Sequence, residues 1–132
     1  MHDTPYTRNV RELSSALRLP EAAQDWAIIV ADPMRVAEFC RFLDSRPDID
    51  PLGRSLLLEL ILASLNEAME LDIAPAALLD QCETVLRHHA PDHPSTVSYW
   101  AGLQATKTDP FPVAGWMRRV LDDSKGREKR LC

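Results

Sequence analysis

Hydrophobic and polar positions alternate along this chain at helical spacing, in runs punctuated by proline. Period-two alternation is nowhere long enough for a strand, so every regular element is expected to be helical. A first helix is expected from about Thr7 to Leu19, stopped by Pro20, and a second from about Glu21 to Ala31, carrying Trp26. Asp32 followed by Pro33 reads as an N-cap with proline at the first helical position, which predicts a third helix to about Ser45. Val36, Phe39, Cys40 and Leu43 fall at i, i+3, i+4 and i+7, the signature of one buried face.

The segment RPDIDPLGR interrupts the pattern as an acidic, proline-stiffened loop, and Asp50 with Pro51 repeats the cap-plus-proline signal. The next run, LGRSLLLELILASLNEAMELD, projects apolar side chains over roughly 200° of the helical circumference. Ser55, Glu59, Asn66, Glu67 and Glu70 share the remaining arc. Such a helix is expected at the centre of the fold. A fifth follows from about Pro75 to His89, with Ala77, Leu78, Cys82, Val85 and Leu86 facing inward, another from about Ser95 to Leu103, and a last from about Val113 to Asp122. The fold class expected is all-α: one domain of about six or seven helices over residues 1–123, with 124–132 as a flexible basic tail.

Composition sharpens this. At 132 residues and 45% hydrophobic, the chain supports one buried core. The opening MHDTPYTRNVRELSS has no apolar run that would serve as a signal sequence, and no stretch approaches the 18 apolar residues of a membrane span, so a soluble, cytoplasmic protein with no membrane partner is expected. Cys40, Cys82 and Cys132 are odd in number and far apart in sequence, which reads as reduced structural thiols. Residues 19–117 hold fifteen Asp/Glu against six Lys/Arg, whereas residues 118–132 carry a net +3. The acidic body disfavours direct nucleic-acid binding and steers basic partners toward itself; a nucleic-acid binder acting through the tail stays open as an alternative.

Catalytic signatures are missing from the sequence: it has no G-x-S-x-G elbow and no glycine-rich phosphate loop. His88, His89 and His93 lie close together, but Pro91 breaks the spacing between His89 and His93 and no Cys completes a metal site nearby. No metal, no cofactor and no enzymatic activity are expected, although Glu59, Glu67 and Glu70 remain the carboxylates of an enzyme alternative. Recognition is the better use for them. Asp44, Asp48 and Asp50, in or beside the stiff loop, and Glu59, Glu67 and Glu70 on the following helix are read as one acidic patch for a partner bearing lysine or arginine.

Three stretches in order, LLLELILASLNEAMEL, TVSYWAGL and DPFPVAGWMRRVL, resemble the helical immunity proteins of bacterial contact-dependent growth inhibition and related polymorphic toxin systems. The family-like positions are Ser64 with Glu67, Tyr99 with Trp100, and Phe111 with Pro112 and Arg118. The resemblance spans about half of the chain. It implies a small antitoxin that binds the toxic C-terminal domain of a cognate effector, often a nuclease with a basic cleft. A helical adaptor for another protein remains the alternative. Trp100 and Trp116 fall on amphipathic helices and are expected in the core, with Pro110 and Pro112 as a stiff corner between the last two helices.

Overall fold

Asp50 and Pro51 start the central helix as the sequence predicts. In the computed structural model, which describes residues 4–102 and 112–131, the last of these from 123 onward as backbone only, the Asp50 carboxylate accepts the Gly53 N–H at 2.8 Å. Pro51 occupies the first turn, where its missing N–H leaves no bond unmade. The helix, α4 (Pro51–Glu70), buries Leu57, Leu58, Leu60, Ile61, Leu62 and Leu65 completely or nearly so. Each such side chain contributes about 1.5–3 kcal/mol of transfer free energy.

Six further α-helices wrap α4, and each touches it: α1 (Pro5–Leu17), α2 (Trp26–Ile29), α3 (Val36–Ser45), α5 (Ala76–His89), α6 (Pro94–Trp100) and α7 (Pro112–Leu131). The described residues contain no strand. The fold class is all-α, with the core running along the axis of α4. No helix among the described residues is long and apolar enough to cross a membrane.

Local chemistry moves several boundaries. α1 begins earlier than expected because Thr4 and Pro5 form the same pair as Asp50 and Pro51: the Thr4 hydroxyl accepts the Thr7 N–H at 3.0 Å. The second helix is a single turn rather than the span Glu21–Ala31. Trp26 is fully buried, and its indole N–H donates to the Ser14 hydroxyl at 2.9 Å and to the Pro20 carbonyl at 3.1 Å. That anchor draws the Pro20 carbonyl toward α1. Asp25, at φ 53°, occupies the left-handed region and stops any helix arriving from residue 21.

Asp32 and Pro33 do not open α3. The Asp32 carboxylate instead accepts the Met34 N–H at 2.9 Å, closing a turn, and the Asp32 N–H donates to the Ser64 hydroxyl at 3.0 Å. The helix starts at Val36, and the predicted face of Val36, Phe39, Cys40 and Leu43 is fully buried. On α5, Cys82, Val85 and Leu86 are buried and Leu78 partly so, but Ala77 is exposed. The α7 backbone runs through the basic segment assigned to a separate tail, well past Asp122. Leu103, Pro110 and Phe111 lie outside the described residues.

Trp100 is buried, and Trp116 packs partly buried against the core. Cys40 on α3 and Cys82 on α5, 42 positions apart in sequence, bring their Sγ atoms to 4.0 Å inside the core. Hydrogen bonding to Cys40, and then burial, push the Cys82 thiol up from its ordinary value.

Candidate functional site: a carboxylate and aromatic groove

The acidic residues differ in the partners they already hold. Asp48 is matched within its own loop: Arg46 donates to both carboxylate oxygens, at 3.0 and 3.2 Å, which lowers the Asp48 pKa. Asp50 is committed to the α4 cap and also faces the Arg8 guanidinium at 3.7 Å and the Asn9 amide at 3.5 Å. Asp44 is exposed at the end of α3, with its Oδ1 3.8 Å from His89 Nε2. Asp48 and Asp50 therefore carry little unmatched charge to offer a partner, whereas Asp44 faces only an imidazole whose pKa is lowered by desolvation.

The arc of α4 read as exposed is mostly covered. Asn66 is buried, and its Oδ1 accepts the Val113 N–H at 3.1 Å, fixing the start of α7, while its amide nitrogen donates to Glu70. Glu67 is half-buried; burial, with the Glu70 and Asp32 carboxylates, raises its pKa. Of the five polar residues on the arc, Glu70 alone is exposed.

Glu59 is different. It lines a cavity of about 350 Å³ together with Asp25, Ile28, Ser95, Thr96, Tyr99 and Trp100. Three elements build it. The fully buried Trp26 sets α2 against α4 and so places Asp25 and Ile28 on one wall. The Ser55 hydroxyl meets the Thr96 hydroxyl at 2.9 Å and fastens α6 to α4, one turn before Glu59, as the other wall. Trp100 packs into the core at 4% exposure, whereas its neighbour Tyr99 remains 55% exposed and meets the Trp100 ring edge to face at 5.4 Å.

Glu59 is half-buried and makes no hydrogen bond or ion pair among the described residues. Burial, and then the Asp25 carboxylate, push its carboxyl above the usual range. Asp25 does not cap α2 with its side chain, so its charge too is left to the groove. Ile28, on the wall of the groove, is 42% exposed, and Ile29, next to it on α2, is 63% exposed, high values for adjacent isoleucines in one turn of helix. Two like charges, an aromatic face and apolar flanks thus converge in one concave surface.

The remaining candidate residues have other roles. Ser64 holds the turn at Asp32, as described above, and Glu67 lies one turn further along α4. Pro112 is exposed at the first position of α7, and Arg118 is half-buried on the same helix. His89, the last residue of α5, and His93 are both buried, and desolvation lowers both of their pKa values. Among the described residues, no group of three or more His, Cys, Asp or Glu is arranged to hold a metal ion.

Sequence reasoning included Glu59 and Tyr99 but not their partners Asp25, Ile28 and Thr96. The signal for them was the stretch QDWAII, in which a tryptophan that anchors inward is followed at once by two isoleucines that one turn of helix cannot also bury. Compared with protein-family profiles, with curated proteins and with solved structures, the chain matches none.

Proposed function

We propose that this protein is a non-enzymatic binding protein, an immunity protein that captures and neutralises the basic toxic domain of a cognate contact-dependent inhibition effector. The observation that carries the reading is the carboxylate pair Asp25 and Glu59, without an ion pair among the described residues and set beside exposed Ile28 and Tyr99. Interfaces combine such elements: an aromatic and aliphatic centre for desolvation, and charge that steers and orients the partner. The net charge of −5 and the acidic body add long-range attraction for a basic surface. The order of the LLLELILASLNEAMEL, TVSYWAGL and DPFPVAGWMRRVL stretches supports the immunity role in particular.

The contact lies on the α2–α4–α6 face in this reading, not on the Asp48–Asp50 loop, whose carboxylates already hold arginines of their own. Growth of cells expressing the toxin-domain reading frame immediately upstream of this gene tests the role. Co-expression of this protein restores growth if it is the immunity partner. Persistent killing with the protein present and soluble refutes the assignment.

A further inference from the structure

We propose that the groove between α2, α4 and α6 is a receptor for a single arginine side chain of the partner, clasped by Asp25 and Glu59 and stacked on Tyr99. The inference deepens the reading above and rests on its premise that this face meets a protein.

Arginine is the occupant that satisfies every wall. Its planar guanidinium carries five donors, enough to serve two carboxylates on different elements at once, and it stacks on aromatic rings with a modest desolvation cost. Lysine offers a compact, strongly hydrated charge that uses the ring poorly. A neutral apolar side chain leaves the half-buried Glu59 carboxylate desolvated and unbonded, which is costly. The cavity, about 350 Å³, accommodates the whole side chain, with the methylene stem lying along Ile28.

The molecule contains its own example of this chemistry. The Arg46 guanidinium binds both oxygens of Asp48 while its central carbon lies 5.4 Å from the centre of the Phe42 ring. The groove repeats the carboxylate and the ring on a concave surface, with a second carboxylate added, but among the described residues no arginine of this chain is paired with Glu59. Glu59 also has the electrostatic property expected of a preformed receptor. Its charged form is disfavoured by burial and by Asp25, so an arriving cation relieves a cost already present in the free protein.

The test is a nuclear magnetic resonance titration of the intact protein with N-acetyl-arginine amide, using N-acetyl-citrulline amide as the neutral isostere. The arginine probe is expected to give saturable shifts at the backbone amides of Ile28 and Tyr99 and at the Trp100 indole, and citrulline none. Glu59→Gln, which keeps shape and removes charge, should weaken the apparent affinity by about tenfold, the scale of one charged hydrogen bond. Tyr99→Ala, checked for an unchanged amide spectrum away from the groove, should weaken arginine binding several-fold more than lysine-amide binding. Equal response to citrulline, shifts spread over the acidic surface without a groove focus, or titration unchanged in Glu59→Gln each overturn the proposal. A toxin still neutralised by a Glu59→Gln protein that no longer binds the probe removes this receptor and leaves the antitoxin role. Intact arginine binding without any toxin rescue removes the antitoxin role and leaves the receptor.

Discussion

The hydroxyls of Ser55 and Thr96 meet at 2.9 Å and tie the seven-residue α6 to the central helix, next to the groove that Glu59 lines. An isolated helix this short does not persist in water, so its position depends on such tertiary ties. Thr96→Val keeps the shape and deletes the bond. It should cost about 1 kcal/mol in urea unfolding, and it should broaden or shift the Tyr99 resonance while leaving that of Phe39, deep in the core, in place.

Asn66 shows what a deeper polar tie contributes. Its Oδ1 accepts the Val113 N–H at a buried site, so Asn66→Ala leaves that N–H without its acceptor. The expected loss is about 1–3 kcal/mol. Hydrogen exchange should localise it, with protection falling first at the α7 amides from Val113 onward rather than on α1.

Gly53 reverses the usual expectation for a helix. Replacing glycine with alanine inside a helix ordinarily stabilises by up to about 1 kcal/mol. Here an added Cβ would stand 2.5 Å from Ile49 Cγ2 and 2.7 Å from Asn9 Oδ1, against the loop and α1. Gly53→Ala should therefore lower the thermal midpoint, and a rise would show that the close packing at the α4 cap is misread.

Acid should weaken the fold before the carboxylates titrate. Desolvation holds the folded-state pKa of His89 down, with His88 and His93 adding to it and Asp44 opposing. His93 is likewise lowered by burial and by Arg54, against Asp92. Because the unfolded chain takes up these protons first, the stability is fully present above the ordinary histidine value of about 6.5 and is lost as pH falls through the folded values. Glu59 and Glu67 act with the opposite sign: their folded pKa values are raised, so their contribution grows only as pH falls toward the usual carboxylate range. Urea unfolding between pH 7.5 and 5.5 should show declining stability. The double variant His89→Gln, His93→Gln should flatten that slope.

These outcomes also mark what the sequence made legible. The long apolar run of α4, the cap at Asp50 and the face of Val36, Phe39, Cys40 and Leu43 could be read because periodicity and proline chemistry are local. α2 could not, because its length is set by the bonds from the Trp26 indole to Ser14 and Pro20, which no helical projection contains. Asp32 followed the same limit: its carboxylate closes a turn on the Met34 N–H, and Ser64, 32 residues away, holds that turn through the Asp32 N–H. The site was half legible. Glu59 could be picked out by charge, but the six-residue patch assumed that carboxylates near in sequence act together. Arg46 and Arg8 match Asp48 and Asp50, and the partner of Glu59 in the groove is Asp25, supplied by another element. Tyr99 and Trp100 stand together in the sequence as one family-like pair; adjacent positions on a helix point about 100° apart, so one is buried and the other remains at the surface.

The affinity of the purified protein for the proposed basic toxin domain, compared between wild type, Asp25→Asn with Glu59→Gln, and Asp48→Asn, is the decisive measurement. Binding by the groove double variant should fall by at least about tenfold, or 1.4 kcal/mol. Asp48→Asn, which only breaks an exposed pair with Arg46, should bind like wild type. Equal affinity for all three proteins, or a loss confined to Asp48→Asn, would contradict the assignment of the α2–α4–α6 groove as the partner-binding surface.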